Sequence, residues 1–349
     1  MVLAPEELEG LWQVDRPYLN TASYGLPPAP AFAALQEALD DWRHGRTSWE
    51  GWTESVARTR ESFARLVAAR PEDVAAGATV SELVGLVAAS LPDGAQVLVP
   101  EVEFTSNLFP WLAQDGRGVR VRTAPLAGLA DAVDEATTLV AVSAVQSSNG
   151  EIADLPSIRE AAATNDALVL VDATQACGWF PLRATDYDFV VVHTYKWLMS
   201  PRGAALMAVR PERVESLVPV HAGWWSAENP LGDYYGPPLR LATSARRLDT
   251  SPAWFSWVGT APALETVERV GVDRIHEHDV GLANRFRAGM GLESGDSAIV
   301  SVDADGAERL ADAGIRAAVR AGGLRVSFHL YNTREHVDAA LDALGPQTR

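Results

Sequence analysis

The sequence predicts an α/β protein with a mostly parallel sheet, followed by a smaller α+β unit, on three observations. Short β-branched runs alternate with alanine-rich helical stretches up to about residue 210. Those runs are continuously apolar rather than alternating, the pattern of strands covered on both faces. Beyond about residue 211 the texture changes to turn formers and aromatics, and a strand–helix–strand–helix series closes the chain.

In order, the strands are expected at 95–100, 118–125, 138–145, 167–174, 188–194 and 203–210. Helices are expected at 81–92 and 155–166, the second with Pro156 in its first turn, where a missing N–H costs nothing. Connections between 167 and 210 are short, which leaves room for an antiparallel strand. Residues 221–252 read as a long excursion over the surface or across an interface. Helical patterning returns from about 256 to 290. The final unit comprises a strand at 297–304, a helix at 306–323 broken at Gly314, a strand at 324–332 and a helix at 333–345. The division expected is a large domain over 18–262 and a small one formed by 1–17 with 263–349.

Composition narrows the function. Of 349 residues, 47% are hydrophobic and 21% charged, the balance of an ordinary globular protein. A net charge of -17 leaves no basic excess for nucleic acid or an anionic membrane surface. The N-terminus carries acids where a secretory signal carries basic residues, and no apolar run reaches membrane-spanning length, so a cytoplasmic location is expected. One cysteine, Cys177, excludes an internal disulfide and any multi-cysteine metal site. His276 and His278 fall two apart, on different faces of a helix, so no metal is expected there. There is no G-x-G-x-x-G and no P-loop, which separates the chain from nicotinamide-dependent dehydrogenases and common nucleotide binders.

Lys196, in "DFVVVHTYKWLMSPRG", is the only lysine; every other one of the 29 basic residues is arginine. Lysine can present a neutral amine that condenses with an aldehyde, and a guanidinium cannot. A sole retained lysine beside an apolar strand therefore points to a Schiff base with pyridoxal 5'-phosphate (PLP). That cofactor needs an acid for its pyridine nitrogen, a stacking partner, phosphate donors and a cation for the substrate carboxylate. Asp172 ends an apolar strand and is either that acid or a helix cap. Gln175 can reach the ring oxygen. Ala78, Thr79 and Val80 precede a helix whose N-terminus can hold a phosphate. Phe104 follows a strand and either stacks on the ring or packs in the core. Alternation in "LRVSFHLYN" sets Arg325, Ser327 and His329 on one face, with Arg325 free to take a carboxylate or a surface acid.

The order of these features resembles the class V aminotransferase family of PLP-dependent enzymes, fold type I, a group spanning cysteine desulfurases, isopenicillin N epimerase-like proteins, kynureninases and C–S lyases. The resemblance runs from "YLNTASYGLPP" (18–28) to "SFHLYNTREHVDAALDAL" (327–344), and "VDATQACG" with "YKWLMSPRG" carries most of it. It implies a seven-stranded-type sheet between helices, Lys196 as the Schiff-base lysine, Asp172 at the pyridinium, Gln175 at the ring oxygen, Thr79 at the phosphate and Arg325 at the substrate's α-carboxylate. It places Asn20 in an N-terminal segment that reaches the site. Ser251 falls where relatives bind phosphate across a subunit boundary, which implies a homodimer.

Four departures bear on the reaction. The stacking residue, often histidine in desulfurases, is Phe104. His193 stands where desulfurases carry a phosphate-binding serine, and Tyr195 replaces the histidine before the lysine. Residues 280–325 contain no cysteine to accept sulfur. The expected activity is therefore that of a PLP enzyme acting on an α-amino acid through an external aldimine. A β-eliminating C–S lyase is preferred to an aminotransferase or epimerase, and a persulfide-forming desulfurase is not expected. A PLP-fold protein that binds without turnover is the alternative of another class. Trp42, Trp49, Trp52, Trp224, Trp225, Trp254 and Trp257 either line a pocket for a bulky side chain or, more plainly, pack in the core and at an interface.

Overall fold

The structure, a computed structural model, describes residue 8 and residues 10–345. The remaining residues expected in the small domain, 1–7, 9 and 346–349, lie outside the described residues.

Seven strands form the large sheet: β1 (Val74–Gly77), β2 (Gln96–Pro100), β3 (Arg120–Ala124), β4 (Leu139–Ser143), β5 (Leu168–Asp172), β6 (Phe189–His193) and β7 (Ala205–Val209). Their order is β1-β7-β6-β5-β4-β2-β3. Pairing is parallel from β6 through β5, β4 and β2 to β3, while β7 runs antiparallel to both of its neighbours. The short connections after residue 167 end in that antiparallel strand. The uninterrupted apolar strands have their reason here. Leu139 and Ala141 enter one core while Val140 and Val142 enter the other, so both faces of β4 are dry.

All six expected strands form, within two residues or so of the expected ends, and the helices appear as Val80–Ser90 and Leu155–Thr164. Sequence patterning missed β1, whose four residues, VAAG, carry too little β-branching to stand out. It also missed helices Ala29–Arg43 and Trp49–Leu66, which pack against Trp254–Val270. Arg58 and Arg65 clamp the latter two helices together through Glu265 and Glu268.

The C-terminal sheet is antiparallel, ordered β8-β10-β9, from β8 (Ile299–Asp303), β9 (Ala318–Arg320) and β10 (Gly323–Ser327). Here one expectation fails. The helix expected to continue past Gly314 stops at Asp312, and the alanine-rich stretch beyond it becomes β9. Positive φ at both Ala321 and Gly322 makes a two-residue hairpin that pairs Arg320 with Gly323. Tertiary pairing has overridden alanine's helix preference.

The segment 18–25 joins the two sheets. Tyr18 and Asn20 bridge to Arg316 and Ser327, and the Ala22 carbonyl accepts from Gln175 Nε2 at 2.9 Å. Gly25 then donates its N–H to the Tyr195 carbonyl at 2.9 Å. A Cβ on Gly25 would lie 2.0 Å from the Lys196 carbonyl oxygen, so only glycine allows this approach.

Candidate active site

Parallel strands end together, and the carboxyl ends of β4, β5 and β6 deliver Ser143, Asp172 and His193 to one edge of the sheet. Three residues beyond β6, the turn returns Lys196 over the same edge. These residues line a cavity of about 190 Å³ with Thr79, Val80, Phe104, Ser147, Gln175 and Arg202 among its walls. Two larger clefts, 340 and 560 Å³, lie along the small sheet and along helix Val272–Gly289, and neither contains Lys196.

Lys196 is buried, with its Nζ 5.4 Å from the Phe104 ring centroid and 5.8 Å from that of Tyr195. Burial pulls its ammonium down to about 8, against the opposing charge of Asp172 and with help from Arg325, Arg320 and Arg202. An amine in that state is neutral far more often near physiological pH than an ordinary lysine. Burial likewise holds the Asp172 carboxyl above its usual range, opposed by hydrogen bonds from Thr174, whose amide donates at 2.8 Å, and by Lys196.

His193 is pushed down to about 3, first by burial and then by Arg202 and Lys196, so it is neutral. Its Nε2 is buried without a partner, one of the polar atoms in this wall left for a ligand. The opposite wall begins helix Val80–Ser90. Here two of the expected phosphate donors are taken by the helix's own cap. The Glu82 carboxylate accepts from the amides of Ala78 (2.7 Å) and Thr79 (3.4 Å), and Thr79 Oγ1 accepts from the Glu82 amide. This capping box, legible as T-x-x-E in "TVSE", spends the Ala78 and Thr79 amides and leaves Val80 and Ser81 at the anion-attracting end. Ala78 does not line the cavity.

Gln175 lines it, but its amide is already engaged. Nε2 donates to Ala22 O (2.9 Å) and Ser147 Oγ (3.0 Å), and Oε1 accepts from Trp197 Nε1 (2.8 Å). Phe104 caps helix Thr105–Leu112 and stays 46% exposed, a ring left at the mouth rather than consumed by the core. Arg325 is buried, its guanidinium donating to Ser23 Oγ at 2.7 Å and to both oxygens of Ser147. Asn20 is buried against Ser327, with Oδ1 unpartnered, outside the cavity lining. Ser251 is exposed and also outside that lining.

Sequence patterning missed several participants. Glu103, buried next to Phe104, accepts from the Ser143 amide (2.8 Å), the Ser143 hydroxyl and the Phe104 amide (3.0 Å). Its carboxyl is raised by burial. Ser147 ties Arg325 to Gln175, and Arg202 lies over the Tyr195 ring, 5.2 Å from its centroid. No local signal marks a serine as a relay; a glutamate directly before the ring-stacking candidate was the one hint. None of the seven tryptophans lines the cavity. Trp49, Trp224, Trp225 and Trp254 pack on one another at 5.2 to 5.6 Å, the packing alternative rather than the pocket one.

Residues 43–305 match the family Aminotransferase class-V. The chain belongs to the class-V aminotransferase family. Among curated class-V relatives, an uncharacterized aminotransferase, YcbU, of Bacillus subtilis is 27% identical over 95% of this chain and 94% of its own. A probable cysteine desulfurase of Methanothermobacter thermautotrophicus is 27% identical over 78% of this chain and 72% of its own. Of solved structures, the cystine C–S lyase C-DES, in complex with cysteine persulfide, superposes with a TM-score of 0.85 at 20% identity, covering 95% of this chain and 97% of that one. The fold is thus the α/β fold type I of PLP enzymes, with the mixed seven-stranded sheet and the small C-terminal antiparallel sheet. Among the described residues no helix is long and apolar enough to cross a membrane, and no cluster of potential ligands could hold a metal ion.

Proposed function

We propose that this chain is a PLP-dependent enzyme that acts on an α-amino acid and cleaves a bond at its β-carbon by elimination. One observation carries the reading: the only lysine of the chain is a buried amine without a hydrogen-bond partner among the described residues, and it lines a cavity together with a buried carboxylate. Bound PLP would supply an aldehyde for that amine and a ring able to accept electrons from the substrate's α-carbon. Asp172 would hold a proton on the ring nitrogen, favoured because its own carboxylate is buried and lacks an arginine partner among the described residues. Phe104 would cover one face of the ring and exclude water from it. His193 Nε2, with Val80 and Ser81 at the helix start, would hold the phosphate. The Lys196 amine, once free, would take the α-proton, and Arg325 would fix the substrate carboxylate and so decide which bond is broken.

Elimination is preferred to sulfur transfer because the chain has one cysteine and that one is inert. Cys177 is buried in the core, and burial pushes its thiol up to about 12. Some relatives are named desulfurases, so the distinction rests on this chain's own residues. A homodimer belongs to the same proposal: Ser251 is exposed and outside its own protomer's cavity, free to serve a partner's.

The test combines borohydride reduction of the purified yellow protein with product analysis on cystine and on cysteine conjugates. The reduced adduct should map to Lys196, and pyruvate and ammonia should form in equal amounts. Alanine with enzyme-bound persulfide would overturn elimination in favour of desulfuration. Keto-acid exchange without pyruvate would make the chain an aminotransferase, and α-proton exchange alone an epimerase. A protein that gains no visible band with added PLP would remove the catalytic reading altogether.

A further inference from the structure

Behind Ser147, which lines this cavity and accepts from Arg325, lies more positive charge than the proposed reaction uses. Arg325 suffices for an α-carboxylate, yet Arg320 stands beside it. β9 and β10 set the two arginines on one face of the small sheet: Arg325 pairs with Ala318, and Arg320 lies two residues further along that strand. Like charges on neighbouring strands repel, and among the described residues no acid pairs with either arginine. Arg320 Nη2 and Arg325 Nη2 both donate to the one hydroxyl of Ser23, at 3.4 and 2.7 Å. Among the described residues, the only other partner of Arg320 is the Val319 carbonyl, at 2.8 Å. Asp303, on β8, sits opposite Gly323 two strands from Arg320, and no ion pair joins them.

Arg325 keeps a buried Nε without a partner, and burial together with Arg320 lowers its guanidinium to about 10. In a chain of net charge -17, acids were plentiful to neutralise such a pair. Two guanidiniums converging on one neutral hydroxyl instead leave donors in excess of acceptors, an arrangement that anions from outside would complete. Both arginines also depress the Lys196 ammonium, which puts their charge within electrostatic reach of the amine.

We propose that the amino acid taken by this site carries a second anionic group on its side chain, a carboxylate, sulfinate or phosphate, received by Arg320 beside Ser23. The proposal deepens the reading above, since it assumes that Arg325 receives the α-carboxylate. It divides the arginine pair beside the cavity into two seats, a buried one for the group common to all amino acids and an exposed one that selects among them. The substrate class is then acidic amino acids and acidic cysteine or serine derivatives, rather than neutral or aromatic ones.

Calorimetry of the full-length protein with succinate and with butyrate, acids of equal carbon number that differ in charge, tests this without relying on turnover. The wild type should bind succinate about tenfold or more tighter than butyrate, the scale of one added charge-assisted contact. Arg320→Gln should erase that preference while butyrate affinity stays put, and an unchanged melting temperature would show that the exposed substitution leaves the fold intact. Titrations of the cofactor absorbance with L-aspartate, L-cysteine sulfinate and O-phospho-L-serine, each against its neutral counterpart, then identify which anion is preferred. Equal affinities in the wild type would overturn the proposal. So would an Arg320→Gln variant that weakens both acids alike, which would make Arg320 a second clamp on the α-carboxylate. A preference lost in Arg202→Gln but kept in Arg320→Gln would overturn the assignment to Arg320. Should the protein bind no cofactor, the succinate preference still reads, so failure of this proposal and failure of the PLP reading remain separable.

Discussion

Lys196 and Asp172 form a coupled pair whose protons can be followed. The amine, held near 8 by burial, is neutral in about a tenth of molecules at pH 7, against roughly one in three thousand for an unperturbed lysine. Reductive trapping of PLP on the apo protein should therefore climb through pH 7 and level off a little above pH 8 instead of beyond pH 10. Asp172 is the one neighbour named above that opposes the drop, so Asp172→Asn should move that titration to lower pH. A plateau above pH 10 in the wild type would show that the amine is solvated. Cofactor absorbance of the same variant should weaken as well, since Asp172 is the only carboxylate in the cavity lining among the described residues, and the nearby Glu103 lies outside it and already accepts four hydrogen bonds.

At the scale of elements, two attachments set the site's shape. The first fixes the loop that carries Ser251. Asp249 is fully buried, accepts from the Ala76 amide at 2.8 Å and pairs with Arg60 at 2.5 Å, while Thr250 donates to the Ala76 carbonyl. Asp249→Ala would strand the Arg60 charge in the core, and a loss of about 3–5 kcal/mol is expected from chemical denaturation. A loss under about 1 kcal/mol would mean that water reaches the pair. The second is the contact of Gly25 with the Lys196 peptide. Gly25→Ala has to push the lysine's backbone away, so trapping efficiency at Lys196 should fall even where circular dichroism stays native. Elements also mark where sequence reasoning stops. Strands β2 and β4 to β7 were legible because burial on both faces forces short apolar, β-branched runs bounded by turn residues. β9 was not, since "AAVR" is a strand only by virtue of its partner β10. The capping box at Thr79 was legible in principle but competes for the same donors as a phosphate, and only geometry shows which amides it takes. Arg325 and Asp172 could be singled out as candidates because strand alternation and strand ends are local properties. Ser23, Ser147 and Glu103 were not, because their roles come from contacts between distant segments.

For the whole molecule, the dimer is the proposal with the widest reach. Phe32, Leu39, Trp42, Tyr235 and Leu239 all stay more than 40% exposed on the single chain, an apolar area that an isolated monomer would leave against water. Sedimentation should give a particle of two chains, and a monomer with undiminished cofactor affinity would remove Ser251 from the phosphate site. The exclusive use of arginine outside the site has an effect on the surface that is independent of catalysis. Every cation presented to solvent by a side chain is a guanidinium or a histidine, and the single ε-amine is 6% exposed. Reagents and modifying enzymes that require a lysine amine, whether acyl donors, cross-linking esters or conjugating machinery, would find no side-chain target on this exterior without first opening the active site.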